Sequence, residues 1–306
     1  MKVLIVFSQN TAVDVEKYTF VGDQAKSLIK AGCVVDFFGI RGKGLHGYLS
    51  SRKELLQKIK EFQPNIIHAH YGLSGLLANL QRKIPVVTTY HGSDINNRKI
   101  LRFSKIAIFL SKFNIFVSQK NIDTVKPKRN YALIPCGVDT ELFKPSDKHE
   151  CRIKLGFSEN EKLVLFAGAF DNKVKNAELA HQAISLLQAV KLIELKGYTR
   201  QEVVMLMNAV DAVLTTSRSE GSPQFIKEAM AVGCPIVSVD VGDVKEVIFG
   251  VEGCFISVNN ADEIAENLQK AINFGKTAGR EKIIELGLDS EITAKKIINI
   301  YKQVIK

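Results

Sequence analysis

Glu220 and Glu228 stand eight positions apart, bracketing the stretch Glu220-Gly221-Ser222-Pro223-Gln224-Phe225-Ile226-Lys227-Glu228. A Gly-Ser-Pro turn follows the first carboxylate, and a run with helical periodicity carries the second. Residues 211–217 upstream and 234–239 downstream are short apolar runs that predict buried strands. Glu220 therefore falls in a strand-to-helix loop, where open α/β sheets bind ligands. Pro223 is expected at the first helical position, where its missing N–H costs nothing. The N–H groups of Gln224, Phe225 and Ile226 then make a small anion site at the positive end of the helix dipole. Carboxylates suit sugar hydroxyls and exposed amides suit phosphate. Together they have the chemistry of a nucleotide-sugar pocket.

Further candidates lie at other strand ends. Asp171-Asn172-Lys173-Val174-Lys175-Asn176 follows a strand predicted at 163–168 and offers Lys173 and Lys175 to a phosphate. His91, in Tyr90-His91-Gly92-Ser93-Asp94, follows a strand at 85–89, and the neighbouring glycine allows close approach to a ligand. His68 and His70 alternate along one strand and share a face, but no third ligand has metal-site spacing. His70, at the strand end, reads as a pocket residue beside Tyr71. Gly42-Lys43-Gly44-Leu45-His46-Gly47 spells Gly-x-Gly-x-x-Gly after the second strand, not the first. Its helix is expected only near Ser51 and no acidic residue ends the next strand, so it reads as a flexible basic loop and not a dinucleotide site. No P-loop and no nucleophile elbow occurs.

The elements that must hold these residues alternate from end to end. Strands are predicted at 2–7, 33–39, 65–69, 85–89, 113–117 and 131–134, then at 163–168, 191–195, 211–215, 235–239 and 254–256. Helical periodicity falls at 22–31, 52–62, 73–82 and 118–125, then at 176–189, 200–209, 223–232, 261–274 and 290–305. The fold class is α/β, with two doubly wound parallel-sheet Rossmann-like domains expected to face a cleft. Gly, Pro and clustered charge make 137–158 read as a linker. Domain limits are expected at 1–148 and 149–289, followed by a helix at 290–306.

Length, at 306 residues, and 46% hydrophobic content suit two globular domains. No apolar run is long enough to span a bilayer, and the first residues read as a strand, not a signal peptide. Five scattered cysteines without Cys-x2-Cys spacing suit a reducing, cytoplasmic setting and no zinc site. The net charge of +10 is uneven: residues 1–150 hold 23 Lys/Arg against 12 Asp/Glu, and the remainder 19 against 20. Apolar residues interleave the basic clusters, which suits anionic lipid on the inner face of the plasma membrane more than nucleic acid.

The stretch from Glu220 to Glu228 resembles the Glu-x7-Glu motif of the retaining glycosyltransferases of the group 1 family, also called family 4, which have the GT-B fold. Val86-Val87-Thr88-Thr89-Tyr90-His91-Gly92-Ser93-Asp94, Ile134-Pro135-Cys136-Gly137-Val138-Asp139 with Phe143-Lys144-Pro145, and Val164-Leu165-Phe166-Ala167-Gly168 resemble further family motifs in the same order. The resemblance implies catalytic roles for Glu220, on donor-sugar hydroxyls, and for His91, near the reacting carbon. It implies donor contacts from the backbone of Gly221, Ser222, Pro223, Gln224 and Phe225, ribose binding by Glu228, and diphosphate binding by Lys173 and Lys175. Tyr198 would lie in the base loop, with His70, Tyr71 and Asp94 on the acceptor side. No cofactor and no metal are implied, and no Asp-x-Asp motif is present. The partners would be a nucleoside-diphosphate sugar and a glycan or lipid-linked acceptor, and the last helix would pack back on the first domain. Two positions depart from the family: Ala169 replaces an arginine, and 8–14 lacks the usual Gly-Gly pair. A nucleotide-sugar binder without turnover and a GT-B sugar-nucleotide epimerase are the alternatives.

Overall fold

Val3, Leu4, Ile5 and Val6 are all fully buried, as an unbroken apolar run must be when both faces of a parallel strand are covered. They belong to β1 (Lys2–Ser8) in a computed structural model that describes residues 1–9, 20–42 and 44–305. The chain divides into two units, Met1–Cys136 with Ser290–Lys306, and Gly137–Asp289.

In unit 1, α1 (Phe20–Lys30) leads from β1 towards β2 (Val34–Ile40). Next come α2 (Gly44–Ser50), α3 (Arg52–Phe62), β3 (Ile66–His70), α4 (Gly72–Asn79), β4 (Val86–Tyr90), α5 (Ser93–Asn96) and α6 (Arg98–Leu110). β5 (Phe113–Phe116), α7 (Gln119–Val125) and β6 (Tyr131–Leu133) follow. The sheet is parallel, in the order β2-β1-β3-β4-β5-β6. Helices cover both faces, which explains why β3 and β4 are buried at every residue.

Unit 2 contains α8 (Lys148–Leu155), β7 (Lys162–Phe166), α9 (Ala177–Ser185), β8 (Val190–Glu194), α10 (Arg200–Ala209) and β9 (Ala212–Thr215). It continues through α11 (Gln224–Ala231), β10 (Ile236–Val239), α12 (Val244–Ile248), β11 (Cys254–Ser257), α13 (Ala261–Phe274) and α14 (Gly279–Glu285). Its sheet is also parallel, in the order β11-β10-β9-β7-β8. α15 (Ser290–Ile305) returns to unit 1, where Ala294, Ile297, Ile300 and Tyr301 are buried with Val3, Ile5 and Ile66.

The expected linker at 137–158 is structured, and the division falls at Cys136/Gly137 instead of 148/149. Val138 and Phe143 are fully buried in the unit 2 core, and Val138 bridges to Asp289. Arg152 is also buried, with Nη2 donating to Asp211 Oδ2 at 3.0 Å. The expected flexible loop at 41–47 gives way to α2, which begins at Gly44, well before Ser51. Gly42 (φ +120) packs so tightly on Gly47 that a Cβ there would lie 2.9 Å from the Gly47 Cα. Lys43, and residues 10–14 of the loop lacking Gly-Gly, lie outside the described residues.

Candidate active site

The unit 2 sheet changes direction at β7, with β8 on one flank and β9 on the other. Loops leaving the carboxyl ends of β7 and β9 therefore diverge, and that is the place where doubly wound sheets hold ligands. Both loops bring a charged residue there. Lys175 Nζ donates to Glu220 Oε1 at 2.7 Å, with 23% and 19% of the two side chains exposed. The lysine loop is fixed from the other side. Thr216 Oγ1 donates to the carbonyls of Lys175 and Asn176 at 3.0 and 2.9 Å, and the Arg218 N–H donates to Val174 O at 2.9 Å. Gly168 (φ +155) keeps the space open, since a Cβ there would sit 2.9 Å from Lys175 Cγ.

The turn after Glu220 is pinned by a buried network. Asp243 Oδ2 accepts from Ser222 Oγ at 2.6 Å and from Lys227 Nζ at 3.0 Å, and Lys227 also donates to Ser222 Oγ. Lys227 is wholly buried, and the second oxygen of Asp243 is buried without a partner. Gly242 (φ +59) closes the contact, since a Cβ there would lie 2.6 Å from Gly221 O. Pro223 (φ −66, ψ 117) caps the helix and does not begin it; α11 starts at Gln224. The proline ring fixes φ, while its extended ψ keeps it outside the helix. Amides 224–226 still head α11, where no preceding helical carbonyl can reach them. The Gln224 side chain donates to Gly137 O at 2.5 Å.

Glu228 lies one helical stretch further on and is almost fully buried. Arg200 Nη1 donates to its Oε1 at 2.8 Å, and the guanidinium stacks on the Phe143 ring, 4.7 Å from the centroid. Arg200 opens α10, whose start is set by a capping box between Thr199 and Glu202. Exposed Tyr198 immediately precedes it. Lys173 is exposed and joins no ion pair among the described residues, so of the two expected phosphate lysines only Lys175 meets Glu220.

In unit 1 the strand ends hold a stack of imidazoles. The His68 and His70 rings lie 4.6 Å apart, and those of His70 and His91 5.2 Å apart. His70 Nδ1 shares a hydrogen bond with His91 Nε2 at 2.9 Å, and His91 Nδ1 is 3.9 Å from Cys136 Sγ. His68 is held by Tyr301 Oη at 2.5 Å and Thr89 Oγ1 at 2.7 Å. Phe20 and half-buried Tyr71 pack against His91. His70 is not exposed at a pocket wall as its strand-end position suggests; it is fully buried, and its Nε2 has no partner. Asp94 is buried too. Its Oδ1 accepts from the N–H groups of His91 and Gly92 at 3.1 and 3.0 Å, and its Oδ2 from Gly72 N at 2.9 Å. Both oxygens are engaged by backbone, which makes Asp94 a clamp between the turns after β3 and β4 and not a surface ligand.

Burial sets the charge state of this stack. It pushes His70 down to about 3 by itself, and pushes His68 and His91 well below 6.5 with the neighbouring imidazoles adding to the effect on those two. The three rings are neutral at neutral pH. Burial raises Asp94 to about 6 against the pull of its amide donors. Among the described residues no cluster of three or more His, Cys, Asp or Glu could hold a metal ion, and no helix is long and apolar enough to cross a membrane.

Comparison with known proteins gives a consistent frame. The model of Glycosyltransferase Family 4 matches residues 14–142, and that of Glycosyl transferases group 1 matches residues 188–273. A protein named as a teichuronic acid biosynthesis glycosyltransferase, TuaC of Bacillus subtilis (strain 168), is 24% identical over 74% of this chain. The chain covers 66% of that relative and 54% of another, D-inositol 3-phosphate glycosyltransferase of Mycobacterium marinum. Sucrose-phosphate synthase from Thermosynechococcus elongatus superposes with a TM-score of 0.84 at 16% identity, over 99% of each chain. Anabaena Alr3699/HepE in complex with UDP does so at 0.76 and 18% identity, over 99% of this chain and 100% of that one. The fold is therefore that of the GT-B glycosyltransferases. This chain belongs to the group 1 glycosyltransferases of family 4.

Proposed function

We propose that this chain transfers a hexose from a nucleoside-diphosphate sugar to a glycan or lipid-linked acceptor, with retention at the anomeric carbon and without a metal ion. One observation carries the reading: the Lys175–Glu220 pair stands where the unit 2 sheet changes direction, next to the first amides of α11. In the structure the two charges satisfy each other. An arriving donor exchanges those partners: the carboxylate accepts from sugar hydroxyls, and the ammonium and the amides of 224–226 turn to the diphosphate. They then stabilise the charge that grows as the sugar–phosphate bond breaks, a term that costs roughly 2.7–4 kcal/mol when one donor is lost. Glu228, oriented by Arg200, takes the ribose hydroxyls, and the loop at Tyr198 takes the base. Neutral His91 acts in unit 1 as a hydrogen-bonding group and not as an acid. A cell-envelope or exopolysaccharide product fits the proposal, and a lipid-carried acceptor gives the excess positive charge of residues 1–150 a use.

The test combines binding with turnover. In a thermal-shift panel of UDP, GDP, ADP and their sugars, the true donor at 100 times its Kd stabilises the protein by about 2.7 kcal/mol. Glu220→Ala is expected to abolish transfer while leaving the melting temperature within a few degrees. Full activity in that variant overturns the assignment. Donor binding without transfer to any acceptor returns the chain to the binding-protein reading, and a change of sugar configuration without acceptor marks an epimerase.

A further inference from the structure

The outward face of α6 is built unlike an ordinary solvated helix. Its inner side is conventional: Ser104 and Ala107 are fully buried, and Leu101 and Ile108 pack on Tyr90, Ile95, Phe116 and Ile122. The exposed residues are Arg98, Lys99, Arg102, Lys105, Ile106 and Phe109. At helical spacing these six fall within an arc of about 120°, with Phe109 in the middle of Arg98, Arg102 and Lys105. Phe109 is 77% exposed, more than any other large hydrophobic side chain among the described residues, and Ile106 is 47% exposed. No Asp or Glu occurs between Ile95 and Ile122. Arg98, Lys99, Arg102, Lys105 and nearby Lys112 have no carboxylate partner among the described residues.

A helix that meets only water intersperses its charges with opposite ones, and a face for duplex nucleic acid, held through phosphates, has no need of an aromatic anchor at its centre. Cations surrounding an exposed aromatic and an aliphatic side chain are the pattern of a helix lying in a lipid interface. There the ammonium and guanidinium groups meet headgroup phosphates, and the apolar side chains enter the acyl boundary. We propose that the outer face of α6 docks on an anionic lipid bilayer. The N-cap Asn97, whose side chain accepts from Lys99 N, gives this face a preformed helix, so docking orders no new backbone. The proposal goes beyond the donor chemistry of unit 2 and does not depend on it.

Co-sedimentation of the full chain with vesicles tests it. Binding is expected to vesicles of equal phosphatidylglycerol and phosphatidylcholine, and not to phosphatidylcholine alone. It should weaken steeply between 50 and 500 mM salt, since screening shortens to a few ångströms. Arg102→Ser and Lys105→Ser should each weaken binding about fivefold. Phe109→Ser combined with Ile106→Ser should weaken it at least tenfold. All four positions are exposed, so the melting temperature should not move. Lys53→Ser with Lys60→Ser, on the exposed face of α3, should leave binding unchanged. The proposal is overturned by failure to bind either vesicle, by binding indifferent to lipid charge, or by full binding of the α6 variants. It is overturned equally by a dimer in light scattering that Phe109→Ser dissolves, or by duplex oligonucleotide binding that the same variants abolish while vesicles stay unbound. Donor binding measured on the same samples reports separately on the transferase reading.

Discussion

The strand-end clusters of the two units solve the same problem with opposite electrostatics. Unit 2 holds full charges in opposed pairs: Lys175 with Glu220, Arg200 with Glu228, Lys227 with Asp243. Unit 1 holds neutral imidazoles in a stack, with the buried Asp94 carboxyl satisfied by three backbone amides. Paired charges can be exchanged for a charged ligand at little net cost, because one partner replaces another. A neutral stack has no charge to exchange, and it presents shape and hydrogen-bond geometry instead. The contrast supports the proposal that a charged donor binds in unit 2, and does so independently of motif.

Breaking the pairs should cost more than titrating the stack. Lys227→Met leaves the Asp243 carboxylate buried and uncompensated, and is expected to destabilise the protein by about 3–5 kcal/mol in urea unfolding. Lys227→Met combined with Asp243→Leu should recover most of that loss, because a buried pair replaced by apolar groups is often close to neutral. A double variant as unstable as the single would show that the turn needs the network and not only its charge balance.

Titration of the stack is next in size. The folded His70 takes a proton only near 3, whereas the unfolded chain takes it near 6.5, so acid favours unfolding from about pH 6.5 downward. At pH 5 that one imidazole costs about 2 kcal/mol, and His68 and His91 act in the same direction. Asp94 acts oppositely: its folded carboxyl, raised to about 6, holds a proton that the unfolded chain has lost, and so offsets part of the loss between about pH 6 and 4. Unfolding measured from pH 7 to 5 should show a net fall in stability, and His70→Gln should flatten it.

Gly168→Ala is the smallest test. The added methyl meets Lys175 Cγ and the backbone φ disfavours it, so a loss of about 1 kcal/mol is expected, seen as weaker donor affinity by thermal shift. An unchanged affinity would mean that Lys175 does not depend on that gap.

Much of this contrast is legible in the amino-acid sequence. The β-runs are clear because parallel strands buried on both faces admit almost no polar residue, as Val3–Val6 and Leu163–Phe166 show. α6 is hidden because Ile106 and Phe109 lie on its outer side and blur the one-sided apolar stripe that marks a helix. α2 is hidden because it begins among glycines, which favour loops. In the site, Glu220 and Lys175 are recognisable separately, but a pairing across 45 residues depends on β7 and β9 being neighbours, and strand order has no local signature. Arg200 and Asp243 go unseen for the same reason. Lys227 does leave a signal, as a single cation between Phe225-Ile226 and Ala229-Met230 on a helix whose apolar residues are all buried.

Because α15 completes unit 1 after all of unit 2, unit 1 is discontinuous in the chain. During synthesis residues 137–289 are available to fold before the segment bearing Tyr301 leaves the ribosome, so the earlier-made sheet waits with α1 but without α15 over Val3, Ile5 and Ile66. A fragment ending near residue 136 would be permanently in that state, and would also leave His68 without its phenolic partner. Any excised version of the amino-terminal half has to carry residues 290–305 with it, joined by a short bridge in place of unit 2.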